Sequence, residues 1–322
     1  LSRSPESLLA RLPQPPAGKT GWPWTEATPE ADYLTGALEP WPRVTVVTPS
    51  YNQAIFLEET IRSVLLQGYP NLEYIIMDGG STDSSVEIIR KYEQHLSYWT
   101  SQKDGGAADA IRQGFERASG SILAYLNSDD LYRPGAMLSL IKHFETDAAD
   151  AVYGNTYWID EDSNVLAERR QTPFSRTAYL YGGADLQQPA TFWTHQIYRT
   201  AGGMDPSFHC AFDTDLFARF VSKKAKFVHV RRLVACARIQ HAQKTELLFD
   251  TCKQETDGIR ARHAPAPVRS FKGVLLRNLG RMQRLAWYLL QGDALWLLGR
   301  IPDRFKSGTR AGTATGPRSK WI

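Results

Sequence analysis

Ser121-Ile-Leu-Ala-Tyr-Leu-Asn-Ser-Asp-Asp130, followed by Leu131-Tyr-Arg-Pro-Gly135, decides how the chain is read. The apolar run from Ile122 to Leu126 predicts a buried strand, which stops at Asn127, Ser128, Asp129 and Asp130 before a Pro-Gly break. Two adjacent carboxylates thus stand at a strand's carboxyl end, where open α/β sheets bind ligands. Like charges so close repel, so one takes a proton or the pair takes a cation. Hard oxygen ligands favour magnesium, manganese or calcium. An Asx-turn with a solvated carboxylate pair explains the same residues without any ligand.

Upstream of this stretch, strands and helices alternate. The β-branched run Val44-Thr-Val-Val-Thr48 reads as a buried strand closed by Pro49-Ser-Tyr-Asn52, and Leu57, Ile61, Val64 and Leu65 recur at helical spacing after it. A second strand, Leu72 to Met77, ends in Asp78-Gly-Gly-Ser-Thr-Asp83. A helix from Ser84 to Glu93, a short strand over Tyr98 to Ser101 and a helix from Ala107 to Ala118 follow. The expectation is an α/β fold with a mainly parallel, doubly wound sheet, whose strand ends near Ser50, Asp78, Asp104 and Asp129 converge on one crevice.

Downstream the pattern changes. A helix through Leu138, Ile141 and Phe144 leads to Ala151-Val-Tyr-Gly154. Asn155 to Ile159 and Val165 to Arg169 then look like a hairpin, and a further helix begins at Phe212 with Leu216, Phe217 and Phe220 inward. This mixed half is expected to close the crevice and hold a second substrate.

The totals agree with a soluble globular chain: 322 residues, 42% hydrophobic and 22% charged. Cys210, Cys236 and Cys252 form no CxxC pair and are odd in number, so neither a disulfide framework nor a cysteine zinc site is expected, and a reducing compartment fits best. Residues 1 to 42, broken by Pro13, Pro15, Pro16, Pro23 and Pro29, read as an irregular arm without a signal peptide's apolar core. The start at Leu1 suggests a processed or truncated chain. A cytoplasmic location is expected. Residues 264 to 322 hold eleven Lys/Arg against two Asp/Glu, a net +9 that leaves −5 on the remainder of a chain whose total is +4. A basic tail on a mildly acidic body suggests an anionic surface as partner.

Neither a G-x-G-x-x-G nor a P-loop fingerprint occurs. The ordered set is more telling. Val44-Thr-Val-Val-Thr-Pro-Ser-Tyr-Asn52, Met77-Asp-Gly-Gly-Ser-Thr-Asp83, Asp104-Gly-Gly-Ala-Ala-Asp-Ala110, Leu126-Asn-Ser-Asp-Asp130 and Phe212-Asp-Thr-Asp-Leu216 resemble, in that order, the family 2 glycosyltransferases of GT-A fold, over about residues 43 to 245.

The resemblance implies an inverting transfer of a sugar from a nucleoside diphosphate donor, a UDP-sugar by preference, to a hydroxyl of a sugar or lipid-linked acceptor in polysaccharide, lipopolysaccharide or glycolipid synthesis. It implies that Thr48, Pro49 and Tyr51 hold base and ribose, that Asp78 accepts from the base, and that Lys103, Asp104, Asp109 and Asn127 line the donor pocket. Asp129 would touch ribose or metal, and Asp130 would bind a divalent ion, Mn2+ or Mg2+. His241 is a further candidate ligand, and Arg238 and Lys244 are candidates to touch the diphosphate. Asp213 aligns with the catalytic base, although Phe212 stands where many members carry Glu. The rival account makes Asp213 a helix N-cap and Asp215 a first-turn charge. Gln187, Gln188, Trp193 and the loop from Tyr179 to Gly183 are expected acceptor contacts.

The implied division is an arm (1–42), a catalytic domain (43–263, its nucleotide-sugar half 43–135 and acceptor half 136–263) and a basic C-terminal helical extension (264–322). On a helix from Phe271 to Leu290, Leu275, Leu279, Met282, Ala286 and Leu289 share one face and Arg277, Arg281, Arg284 and Tyr288 the other. That amphipathy suits an anionic membrane surface contacted through 269–306, placing the chain peripherally on the inner face. A helix docked on the protein suits it equally. Nucleic acid is not an expected partner, since no recognition motif accompanies the charge. A non-catalytic nucleotide-sugar binding module and a nucleotidyltransferase are the other function classes.

Overall fold

A computed structural model of the chain describes residues 8–29, 40–240 and 248–297. Its centre is a sheet whose strands are β1 (Val44–Ser50), β2 (Leu72–Asp78), β3 (Tyr98–Ser101), β4 (Ile122–Tyr125), β5 (Leu131–Tyr132), β6 (Ala151–Ile159), β7 (Val165–Arg169), β8 (Thr191–Thr194) and β9 (Phe227–Arg238). Their order is β3-β2-β1-β4-β8-β6-β9-β5, with β7 paired to β6. The first four are parallel, as alternation with helices requires. Strand β8 then runs antiparallel to both β4 and β6, so β6 points the same way as β4 and its far end rises beside Asp129 and Asp130.

The helices are α1 (Leu8–Arg11), α2 (Ala54–Leu65), α3 (Ser85–Tyr92), α4 (Ala107–Arg117), α5 (Ala136–Thr146), α6 (Arg176–Leu180), α7 (His195–Thr200), α8 (Phe212–Ser222), α9 (Phe249–His263) and α10 (Phe271–Leu290). The side-chain alternation of the central strands sorts the core into two layers. Val44, Val46, Tyr74, Ile76, Ile122 and Ala124 pack on one face with Leu57 and Ile61 of α2, Ile89 of α3 and Leu140 of α5. Val47, Ile75, Met77, Leu123 and Tyr125 pack on the other with Ile111 and Phe115 of α4 and Leu216, Phe217 and Phe220 of α8. Gly114 lets α4 approach closely, because a Cβ there would lie 2.5 Å from Val47 Cγ1.

The expected hairpin exists, with Thr156 opposite Arg169 and Trp158 opposite Ala167. Sequence periodicity did not single out β5, β8 or the twelve-residue β9 as strands. Strand β9 pairs in parallel with β6 through two irregularities of register. Part of the N-terminal arm is fastened to the core by Arg62 of α2, whose guanidinium donates to the carbonyls of Pro13 (2.8 Å), Pro23 (2.9 Å) and Trp24 (2.7 Å).

The cysteine expectation is corrected. Cys210 and Cys252 form a disulfide across 42 residues, with Cα atoms 5.2 Å apart, and only Cys236 is free. Parity misled the reading, since an odd count is compatible with one bridge plus one buried thiol. With it goes the cysteine-based argument for a reducing compartment.

Candidate active site

The loops after β1 and β2 are tied together. Asn52 Oδ1 accepts from Thr82 N (2.8 Å), Asn52 N donates to Ser81 Oγ (2.8 Å), and Asp83 bridges Ala54 N and Ser85 N, both at 3.0 Å. Asp78 is 1% exposed. Its carboxylate accepts from Gly80 N, Ser81 N, Ser81 Oγ and Ser101 Oγ, which fixes the β2 and β3 ends against one another. Asp104 approaches the same place, its carboxylate 3.0 Å from where a Gly79 Cβ would stand, and it accepts from Gly106 N at 2.7 Å. Asp109 is held below the usual carboxylate range by Arg112, and it also accepts from Gly105 N and Gln113. Tyr51 is largely exposed beyond β1 and Lys103 is exposed, while Pro49 is buried within the strand. Thr48 is a correction: it is fully buried, and its hydroxyl pairs with Tyr74 OH at 3.0 Å, so its side chain belongs to the core.

At the β4 end, Asp130 Oδ1 accepts from the backbone N–H of Arg238 (2.9 Å), and among the described residues Oδ2 has only the amide of Asn127 at 3.3 Å. Asp129 Oδ2 accepts from Gln240 Nε2 at 2.5 Å. Burial pushes both carboxylates up, and Asp130 further by the charge of Asp129. Arg238 does not reach a diphosphate as expected. It is wholly buried, and its guanidinium donates to Asp129 O (2.9 Å), Asp160 O (2.8 Å), Glu161 O (3.1 Å) and Ser163 Oγ (3.1 Å) and pairs with Glu59 at 2.8 Å. Periodicity concealed this role, because Glu59 reads as one more charge in a helix's first turns. The Asp129–Asp130 pair, with no guanidinium on its carboxylates among the described residues, fits a hard divalent cation whose remaining ligands come from elsewhere. Among the described residues no three His, Cys, Asp or Glu side chains cluster as a complete metal cage. His241 and Lys244 lie outside the described residues.

Asp213 lies inside α8, not at its cap, which is Ala211. Its Oδ1 accepts from Thr214 N (2.6 Å) and Thr214 Oγ1 (3.3 Å), and among the described residues nothing donates to Oδ2. Burial pushes its carboxyl up to about 6, with the charge of Asp185 adding to the effect. Asp215 differs: it is 2% exposed and paired with Arg219 at 2.7 Å, a structural role. The helix start is capped from outside, since Glu255 of α9 accepts from His209 N, Cys210 N and Ala211 N.

Tyr125 joins the two acidic centres. It is buried, and the charges of Asp213 and Asp130 both add to burial in raising its phenol. Gln188 Nε2 donates to Tyr125 O (2.6 Å), and Asn127 Nδ2 lies 3.5 Å from Gln188 Oε1. Gln188 is thus a buried strut, and Trp193 is fully buried among Phe115, Tyr125, Phe217 and Phe220; neither offers a surface to an acceptor. Tyr179 is buried under Asp213, its hydroxyl donating to Thr214 O at 3.1 Å.

A parallel nucleotide-type half joined to a mixed half, with carboxylates at the β4 end and a third acid on a facing helix, defines a GT-A type α/β fold. Solved structures agree. The chain is similar to S. aureus TarS 1-349 in complex with UDP-GlcNAc (TM-score 0.55, 14% identity, 76% of this chain and 72% of that one). It is also similar to the mannosyltransferase PcManGT of Pyrobaculum calidifontis in complex with GDP-Man and Mn2+ (TM-score 0.58, 16% identity, 86% of each). An uncharacterized glycosyltransferase of Mycobacterium tuberculosis is 31% identical over 181 residues, covering 55% of this chain and 68% of the relative. The family model described as glycosyl transferase family 2 matches residues 45–209. The chain belongs to that family, and its enzyme class is glycosyltransferase.

Proposed function

We propose that the chain transfers a sugar from a nucleoside diphosphate donor to a hydroxyl acceptor with inversion at the anomeric carbon, Asp213 acting as the base. The observation that carries this reading is the state of Asp213: a half-buried carboxyl raised to about 6, with no donor to Oδ2 among the described residues, whose charge, like that of Asp130, acts on Tyr125. A base poised near the working pH removes a proton efficiently. In the transfer the acceptor O–H proton passes to Asp213, and the acceptor oxygen forms its bond to the anomeric carbon. The bond from that carbon to the phosphate oxygen breaks, its electron pair leaving with the nucleoside diphosphate.

Asp129 and Asp130 would hold a divalent ion, Mn2+ or Mg2+, which when bound supplies charge stabilisation to the leaving diphosphate. Asn127 and Arg238 orient Asp130, and Gln240 orients Asp129. The neighbours' UDP-GlcNAc and GDP-Man support the donor class. A UDP-sugar is the favoured donor on the family resemblance and the UDP-GlcNAc bound by a neighbour; Asp78, whose carboxylate is taken up by Gly80, Ser81 and Ser101, would shape that pocket through the loops it holds, with Tyr51, Lys103 and Asp104 along it. Residues 43–263 would form the catalytic unit, 43–135 serving the donor and 136–263 the acceptor, with 264–322 as an extension.

The extension would carry a peripheral membrane contact. No helix among the described residues is long and apolar enough to cross a membrane. Helix α10 nevertheless presents Leu275, Leu279, Met282 and Leu289, each 45% exposed or more. The face docked on the protein is the other one, through Gly280 against Ala178, Gln283 with Ser175 (2.7 Å) and Arg284 with Gly182 O (3.0 Å). An apolar face left outward on a basic helix suits a lipid-linked acceptor at a membrane surface.

The test is donor turnover with UDP-sugars and manganese. Wild type should release UDP, and Asp213→Asn should abolish release while UDP binding persists. Full turnover by Asp213→Asn removes the base assignment, and binding without turnover in wild type indicates a non-catalytic module. Pyrophosphate release from a nucleoside triphosphate indicates a nucleotidyltransferase.

A further inference from the structure

A small, partly enclosed polar recess is lined by Arg169, Arg170, Gln171, Asp185, Arg284 and Tyr288, among others, and Asp185 in its wall is near enough for its charge to act on Asp213 of α8. Its walls come from the end of β7, the loop that leads to Gln187 and Gln188, and α10. Strand β6 shares the direction of β4, and Thr156, beyond the level paired with β8, faces Arg169. Arg169 in its wall therefore stands further toward the Asp130 end of the sheet than the rows in which β8 pairs with β4 and β6. Asp185 reaches both neighbourhoods: it lines the recess, accepts from Gln187 Nε2 at 2.5 Å, and its charge acts on Asp213.

The three arginines are not equivalent. Arg170 is neutralised, paired with Glu168 at 3.0 Å and with the buried Asp293. Arg284 donates to Gly182 O at 3.0 Å and has no carboxylate partner among the described residues. Arg169 is only 15% exposed, with its guanidinium over the Trp158 ring at 4.4 Å. Its nearest carboxylate is Asp185 at 3.8 Å, too long for a hydrogen bond, and it donates to no described residue. Held on the Trp158 face and partly exposed, the Arg169 guanidinium keeps donors that no described residue takes up and that are open to a ligand in place of water. One carboxylate against Arg169 and Arg284 leaves the recess net positive.

We infer that this recess is an acceptor-side anion subsite, in which Arg169 and Arg284 receive an oxyanion, phosphate or carboxylate, carried by the acceptor next to the hydroxyl that is glycosylated. The inference rests on the acceptor reading of this half and deepens it by giving the acceptor a charge. Planar guanidinium groups match both oxyanions with paired hydrogen bonds, and the Trp158 face holds the Arg169 plane in place for them.

Isothermal titration of the full chain with glycerol phosphate and with methyl glucuronoside, against glycerol and methyl glucoside, tests it. At least one anion should bind while the neutral compounds do not; which anion binds identifies the acceptor's charged group as phosphate or carboxylate. Arg169→Gln should weaken that binding ten-fold or more, and Arg284→Gln provides the same reading should the first variant fail to fold. The exposed Lys142→Gln serves as the control for general charge loss. Equal binding of neutral compounds, no binding of either anion, or wild-type affinity in both arginine variants, which would put the anion in the donor cleft, overturns the inference. The transfer reading is tested separately by Asp213→Asn turnover, so the two can fail independently.

Discussion

The backbone N–H of Arg238 donates to Asp130 Oδ1 at 2.9 Å, while the same residue's guanidinium is anchored to Glu59 at 2.8 Å. One residue of β9 thus couples α2 to the acidic pair at the β4 end. Removing one partner of a buried ion pair leaves an uncompensated charge, which costs roughly 3–5 kcal/mol. Arg238 keeps four oxygen acceptors besides Glu59, so Glu59→Ala should fall at the low end, about 3 kcal/mol in urea unfolding. Metal-dependent nucleotide affinity should drop with it, because the strand end moves. A stability change within about 0.5 kcal/mol, the range of an ordinary surface substitution, would contradict this account.

The raised carboxyl of Asp213 fixes a pH dependence for activity. Its base form is populated above about 6, so kcat/KM should fall as pH drops through that value and level off above it. Stability runs in the opposite sense. The folded state holds this proton up to about 6, whereas an ordinary carboxyl releases it near 3.8, so the folded state is progressively disfavoured as pH rises from about 4 to 6. Asp213→Asn removes that penalty and should stabilise the protein by up to about 3 kcal/mol at pH 8, with no gain near pH 3. A Tm difference independent of pH would show that burial is not the cause.

Much of this arrangement was legible from the chain, and the physical reasons separate what was from what was not. Strands β1 to β4 and helices α2 to α4 follow local rules: β-branched runs, helical spacing and polar stops, each satisfied within about a dozen residues. The end of α10 at Leu290 and the hairpin of β6 with β7 were legible for the same reason. Strands β8 and β9 were not, because their formation depends on partners far away in sequence. The burial of β9 alternates only in part, and its Arg231 and Arg232 interrupt any apolar run. At the site, residue types pointed to Asp130 and Asp213, but no spacing could reveal whether a side chain faces ligand or core. Thr48, Gln188, Trp193 and Arg238 turned out to face the core.

The bridge from Cys210 to Cys252 and the Glu255 carboxylate hold the start of α8 from the same face of α9, three residues apart. A closed loop of this length restricts the unfolded chain by about 3–4 kcal/mol, so Cys252→Ser should lower stability by that order. Glu255→Gln keeps the shape but weakens charge-assisted acceptance from three backbone N–H groups; about 1–2 kcal/mol should be lost. Both changes should depress turnover more than acceptor or donor binding, since they displace Asp213 and leave the pockets in place. Unaltered kcat in both variants would mean that α8 keeps its position without α9.

The outward face of α10 separates two explanations of a basic, apolar helix. If it were merely a docked element, its exposed leucines would be incidental, and replacing them would change little. If it lies on lipid, Leu275 and Met282, which are 60% and 67% exposed, contribute burial that exists only at the membrane. Each such side chain gains about 1.5–3 kcal/mol when fully covered. Leu275→Glu with Met282→Glu should therefore reduce co-sedimentation with vesicles containing anionic lipid by well over ten-fold while leaving Tm in solution nearly unchanged, because neither residue supports the fold. Association should also weaken with salt, as the Lys and Arg residues of the extension interact with anionic headgroups within about a Debye length. Binding that survives both glutamates, or a wild type that ignores anionic vesicles at low salt, would leave the helix as a structural brace over the acceptor recess.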